Sequence, residues 1–195
     1  FLNTPSKDNF DGGPGIDTVV YDGPVSNYVV LPGVTGIEVS SANYSEGSDW
    51  LLGIERLQFK DKGLAFDVEG HAGIAAKTLG LVFGQEAVNV PKYMGICLDC
   101  LDNKQMSAAQ LMHEALAVRL GADAQNTEKL VSFLYERLTG MVPIQSEKDK
   151  YVGWITSGTY TADTLAVFAS ELALNPVVTQ LTGMASTGIA FEMPT

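Results

Sequence analysis

Between residues 12 and 20 the chain reads Gly-Gly-Pro-Gly-Ile-Asp-Thr-Val-Val, a match at every defined position to the repeat G-G-x-G-x-D-x-U-x, where U is a large apolar residue. Few segments constrain a backbone more. The glycines permit tight bends at positive φ and leave carbonyl oxygens exposed. The Asp adds an anionic oxygen, and the apolar position turns inward as a strand begins. Stacked turns of this kind can share a calcium ion, which takes about six to eight oxygen ligands. Asp8-Asn9-Phe10-Asp11 matches the last four positions of a preceding repeat. Asp8, Asp11, Gly13, Gly15, Asp17 and Asp22 are therefore the candidate calcium ligands. One full and one partial repeat supply at most half-sites, and the pattern fails after Val20, because Tyr21-Asp22-Gly23-Pro24 is not another such turn. The alternative is an ordinary acidic, glycine-rich bend that feeds a strand.

Charge agrees with a cation-attracting surface. The chain carries 12 basic and 23 acidic residues, a net of −11. Up to Gly70 there are four Lys/Arg against eleven Asp/Glu, a net of −7; beyond it there are eight against twelve, −4. Such a field repels phosphate backbones, so nucleic acid is not an expected partner. The same charge also serves plain solubility. Hydrophobic residues make up 46% of the 195, enough for a packed core. No run approaches the roughly 18 uninterrupted apolar residues of a membrane-spanning helix. Opening on Phe1 without a leader, the chain reads as a mature product or a fragment.

Short β-type runs follow the nonapeptide at Thr18–Tyr21, Asn27–Leu31, Gly36–Ser41, Trp50–Phe59 and Leu64–Val68, separated by turn signals such as Pro32-Gly33 and Glu46-Gly47. Near Gly70 the periodicity changes. Ala75, Leu79, Val82 and Phe83, then Leu111, Met112, Ala115, Leu116 and Leu120, then Leu130, Phe133, Leu134 and Leu138 recur at helical spacing. Ser146-Glu-Lys-Asp149 has the form of a capping box, Thr161 precedes a run over Ala162–Leu174, and Asn175-Pro176 stops it. About six short helices result.

The helical half repeats itself. Lys92-Tyr-Met-Gly-Ile96 matches Lys150-Tyr-Val-Gly-Trp154 at a distance of 58 residues, Leu81-Val-Phe-Gly84 parallels Phe133-Leu-Tyr-Glu136, and Ser107–Leu116 parallels Thr161–Leu172. Pro91 and Pro143 fall at corresponding places. The fold class expected is α+β: residues 1–70 a small antiparallel β unit with a partial glycine-rich calcium-repeat turn, residues 71–195 a duplicated all-α helical bundle.

Signals for catalysis are weak. There is no G-x-S-x-G and no H-E-x-x-H, and two histidines leave little for a triad. His71 reads as a solvated turn residue, His113 as a helix residue beside Glu114. Pairs such as Asp61, Asp67 and Glu69 follow from acidic composition. Gly12–Gly15 lacks the Lys-Ser/Thr ending of a phosphate loop. No catalytic role is expected. Cys97-Leu-Asp-Cys100 would need two further ligands for zinc, with His113 and His71 the only histidines, and a redox role would need a βαβ context. A local Cys97–Cys100 disulfide or two buried free thiols are the ordinary outcomes, and export would favour the disulfide. Trp50, Tyr151, Trp154 and Tyr160 could form a carbohydrate-stacking surface, but the spacing of Tyr151, Trp154 and Ile155 is that of a helix core face.

Asp11–Val68, through GGPGIDTVVYDGP and GSDWLLGIERLQFKDKGLAFDV, resembles the linker that follows glycine-rich calcium repeats in bacterial repeats-in-toxin (RTX) proteins. Residues 72–182 look like the DUF 4214 helical domain, whose L-Y-x-x-x-x-G-x-x-P element is matched by Leu134 to Pro143 and whose G-Y-W-like element is matched by Tyr151-Val-Gly-Trp154. The first copy departs from that pattern, since Leu81-Val-Phe-Gly lacks the Tyr. The resemblance implies a secreted or cell-surface bacterial protein, calcium that aids folding outside the cell, and no catalytic residues. The function expected is extracellular structure or adhesion, with self-assembly into a surface layer or filament through the exposed β edge, as a homo-oligomer or with other surface proteins; an accessory module of an exported enzyme and a polysaccharide-binding module are the alternatives.

Overall fold

The computed structural model describes residues 1–42 and 47–193, so the first residue of the expected Glu46-Gly47 turn lies outside the described residues. The chain is α+β, with two four-stranded sheets and eight α-helices among the described residues. The strands are β1 (Asn9–Asp11), β2 (Thr18–Val20), β3 (Tyr28–Pro32), β4 (Ile37–Ser41), β5 (Ser48–Leu52), β6 (Arg56–Gln58), β7 (Gly63–Ala65) and β8 (Ile189–Phe191). The helices are α1 (His71–Phe83), α2 (Gln85–Val88), α3 (Pro91–Leu98), α4 (Ala108–Leu120), α5 (Thr127–Thr139), α6 (Gln145–Thr156), α7 (Ala162–Ser170) and α8 (Pro176–Thr187).

One sheet runs β1-β5-β4-β3, the other β2-β6-β7-β8. The β unit is not purely antiparallel as expected: β1 pairs parallel with β5, and β2 parallel with β6. The cause is a strand–turn–strand pass made twice. The chain passes from β1 through the glycine-rich turn to β2, and later from β5 through Gly53–Glu55 to β6. The two passes lie side by side, which makes both pairs parallel. The expected run Trp50–Phe59 thus divides into β5 and β6. Phe1–Asn3 lies along the outer side of β2, where the Asn3 amide donates to the Val20 carbonyl at 3.0 Å and the Val20 amide to that of Phe1 at 2.9 Å. Val19, Val39, Leu51, Leu57 and Phe59 fill the core between the sheets.

The expected helical half is not helical throughout. Gly188, at φ 72°, turns the chain out of α8, and β8 returns to pair antiparallel with β7. The Glu192 amide donates to the Pro91 carbonyl at 2.9 Å. A Cβ on Gly95 of α3 would meet the Glu192 carbonyl oxygen at 1.8 Å, so only glycine lets α3 and the C-terminal strand approach this closely. Ala65, Ile189 and Phe191 consequently share one core with α1, α3 and α8. A separate core joins α1, α4, α5 and α7 through Val82, Met112, Leu116, Leu130, Leu134 and Ala166.

Helix starts follow local chemistry. Ser107 with Gln110, and Thr161 with Thr164, form reciprocal capping boxes that open α4 and α7. The box expected at Ser146 does not form, because α6 begins two residues earlier than that cap requires, after Ile144, with no side-chain cap. Asn175-Pro176 opens α8: the Asn175 side chain accepts from the Val177 amide at 3.3 Å, with Pro176 at the first helical position. Arg137 of α5 closes the end of α1, donating to the Leu81 carbonyl at 2.7 Å and that of Gly80 at 3.2 Å.

Candidate functional site

The glycine-rich turn lies against the turn Gly53–Glu55. Gly13 and Gly15 hold φ of 75° and 130°, and Gly53 holds 58°, all in the region that favours glycine. A Cβ on Gly12 would sit 2.1 Å from the Gly53 carbonyl oxygen and 2.6 Å from the Asp17 Cβ. The Gly12 amide donates to Leu52 O at 2.9 Å. The Asp17 amide donates to the Glu55 carboxylate at 3.0 Å, and Asp17 O accepts from the amides of Glu55 and Arg56 at 3.2 and 3.0 Å.

Asp17, Gly13 and Gly15 of the predicted ligand set therefore share one place, and Glu55 joins them. The rest of the set is elsewhere. Asp8 accepts from the Thr4 amide and hydroxyl at 3.1 and 2.7 Å, so it orders the approach to β1. Asp11 is exposed in β1 opposite Leu52, and Asp22 is exposed in the next bend. The stacked turns offer hard oxygen donors of the kind calcium takes, namely two carboxylates beside glycine carbonyls. Among the described residues no group of three His, Cys, Asp or Glu side chains is placed to hold a metal ion, so a calcium ion here would draw most of its ligands from backbone carbonyls. Glu55 was missed because the second turn lies 38 residues beyond Asp17 and lacks the glycine spacing. The signal was present in Leu52-Gly53-Ile54-Glu55, a glycine inside an apolar run.

Behind this turn, Arg56 is buried with 3% of its side chain exposed and holds two carboxylates. It pairs with Asp67 through Nη1, donates from Nη2 to Asp67 at 3.3 Å, and donates from Nε to Asp102 at 3.2 Å. Asp67 also accepts from the Ala72 amide at 3.2 Å, at the start of α1. His71 Nδ1 lies 2.7 Å from Asp102, so this histidine, at the start of α1, is hydrogen-bonded to the carboxylate that Arg56 also holds. Asp102 stands in a π-helical turn, Asp99–Asn103, that extends α3. The cluster joins β6 to both α1 and α3, a structural role.

Cys97 and Cys100 are both buried free thiols, the second of the two outcomes expected, and the anticipated disulfide is not formed. Burial first, and then Cys100, pushes the Cys97 thiol up to about 12. Both residues belong to the apolar core shared with α1, the Cys100 sulfur lies 4.0 Å from Lys104 Nζ, and His113 is 3.2 Å from Asp163 instead.

The second feature with an open, concave shape is aromatic. Tyr151 and Trp154 do not form a buried core face, since no residue of α6 is buried. They line a groove of about 300 Å³ between α5, α6 and α7, with Tyr135, Leu138 and Phe168. Tyr151 meets Trp154 edge-on at 5.1 Å between centroids, and Trp154 lies 5.7 Å from Tyr160. Lys150 Nζ stands 5.3 and 5.4 Å from the centres of the Tyr151 and Trp154 rings. Trp50, on β5, is exposed on the β unit.

No family model, curated protein or solved structure matches the chain. No helix among the described residues is long and apolar enough to cross a membrane.

Proposed function

We propose that this chain is a non-catalytic structural module of a secreted or cell-surface bacterial protein, stabilised by calcium at the stacked turns. The observation that carries the reading is the pairing of Gly12–Asp17 with Gly53–Glu55 between two sets of parallel strands. Adjacent turns of that kind place carbonyls and carboxylates in layers, and a hard cation between layers offsets their mutual repulsion. The resemblance to the RTX linker points the same way. Asp17 and Glu55 replace the wider set of aspartates as the side chains expected to matter.

The helical half is read as duplicated. The order α1, α3, α4 recurs as α5, α6, α7, the Lys-Tyr-x-Gly element sits on α3 and again on α6, and a capping box opens α4 and α7. In the first copy the element's glycine, Gly95, is covered by β8, whereas Gly153 meets nothing within 4 Å. Duplication followed by such divergence suits a scaffold that presents one free face. Calorimetric titration of calcium into the full chain, stripped beforehand with chelator, tests the reading. A saturable heat near one ion per chain is expected, and absence of heat overturns the calcium claim.

A further inference from the structure

We infer that the groove between α5, α6 and α7 binds a quaternary ammonium group, the trimethylammonium head of a small molecule of the choline kind. Four aromatic rings line it: Tyr135 of α5, Tyr151 and Trp154 of α6, and Phe168 of α7. Taken in that order, neighbouring rings stand 6.4, 5.1 and 6.4 Å apart between centroids and at 51°, 89° and 72° to one another. Such angles make a curved wall and not a stack. Tyr160 backs Trp154 and Phe168 at 5.7 and 5.6 Å. The π faces of such rings are negative, and that of Trp attracts a cation most strongly. The chain itself already places a cation there. Lys150 Nζ stands over the Tyr151 and Trp154 rings, 5.3 and 5.4 Å from their centres, and among the described residues it has no carboxylate partner. Its attraction is to the ring faces.

Polar groups narrow the kind of cation. The Thr139 hydroxyl donates to Tyr135 O at 2.8 Å and accepts from the Met141 amide at 3.1 Å, and the Tyr135 hydroxyl donates to the Glu147 carboxylate. A primary ammonium or a sugar entering here gives up hydrogen bonds to water that these engaged groups do not replace. A trimethylammonium group has no N–H to satisfy, spreads its charge over its methyl groups, and gains from the apolar lining and the rings together. The Glu147 carboxylate adds a negative charge beside the wall, and the chain's net −11 draws cations from solution. A volume of about 300 Å³ stands at the lower end of small-molecule pockets, as a ligand of this size requires.

The rings are not what the repeat needs in order to fold. On the duplicated reading given above, Tyr151 and Trp154 correspond to Tyr93 and Ile96 of α3. Phe168, seven residues past the cap Thr161, corresponds to Glu114, seven past the cap Ser107. The first copy therefore forms its helices with an aliphatic and a charged residue where the second places Trp154 and Phe168. Helix packing does not call for the aromatic wall, and a ligand does. Only this comparison rests on the duplication. No residue of the groove belongs to the β unit, so the inference stands or falls separately from the calcium reading.

Calorimetric titration of choline chloride into the full chain, against sodium chloride of the same ionic strength, is the test. Saturable binding of about one choline per chain is expected. The uncharged isostere, in which tert-butyl replaces trimethylammonium, is expected to bind about tenfold more weakly, because it fills the groove without the cation–π attraction. Trp154→Ile, which places there the side chain of the first copy, is expected to weaken choline binding by about tenfold or more with an unchanged circular dichroism spectrum. Lys150→Met, at an exposed position, removes the competing ammonium and is expected to tighten choline binding by about two- to fivefold. Absence of saturable binding overturns the inference, as does an isostere that binds as well as choline. So does choline binding that survives Trp154→Ile, or that weakens in Lys150→Met.

Discussion

The Asp17 amide and the Glu55 carboxylate are joined at 3.0 Å across 38 residues of sequence, and this bond sets two turns in register. Around it, Gly12 has no room for a side chain because the Gly53 carbonyl occupies the place of a Cβ. Contact between the turns, and not the nonapeptide alone, is what makes this part of the β unit a layered structure.

That packing gives the first expectation. Gly12→Ala should destabilise the chain by about 1–3 kcal/mol, since the new methyl meets backbone that cannot move aside. Gly13→Ala meets nothing within 4 Å and should cost only the strain of φ 75°, about 1 kcal/mol. Urea midpoints compare the two; equal losses would mean that the turns do not pack as described.

Arg56 should be among the least replaceable residues. Arg56→Met leaves Asp67 and Asp102 facing each other without their shared cation, and a loss of about 3–5 kcal/mol is expected. Equilibrium unfolding measures it, and a loss below about 1 kcal/mol would show that water reaches the cluster.

The two corresponding glycines should respond with opposite sign. Gly95→Ala drives a methyl into the Glu192 carbonyl and should lower the melting temperature by several degrees. Gly153→Ala, in open space on α6, should leave stability unchanged or raise it by about 0.5–1 kcal/mol. Similar effects at both sites would remove the distinction drawn between the copies.

Cys97 should be nearly inert in the folded chain. Its thiol is moved from 9.0 to about 12, so the thiolate that attacks a disulfide reagent is scarce at pH 8. Unfolding without reductant should release two reactive thiols per chain. The folded state keeps this proton more tightly than the unfolded one. Its contribution to stability is therefore whole below about pH 9 and lost as pH rises towards 12. Tyr21, raised above its ordinary value by burial and then by Asp49, adds a loss of the same sign at high pH. Melting temperatures across alkaline pH check the slope.

Much of this molecule could be read from local pattern. Helical periodicity predicted α1, α4 and α5, and the Ser/Thr-x-x-polar chemistry at Thr161 marked the start of α7. What escaped depends on distance along the chain. The parallel pairing of β1 with β5 crosses about forty residues, and no local signal announces it. The strand β8 is three residues long and lies at the far end of a helical stretch. Of the site, Asp17 and its glycines were legible because their spacing is a motif. Glu55 was not, because its role comes from the turn beneath which it lies. Tyr151 and Trp154 have core spacing, yet they line a groove because α6 packs mainly on α5 and leaves their outer faces uncovered.

A cation held between the stacked turns is central to the proposed function. Thermal melting of the chain in excess calcium and in excess chelator, repeated for Asp17→Ala and Glu55→Gln, addresses it directly. A midpoint several degrees higher in calcium is expected for the unaltered chain, with the difference abolished by Asp17→Ala and reduced by Glu55→Gln. Coincident curves for the unaltered chain in the two buffers, or a calcium effect that persists in Asp17→Ala, would contradict it.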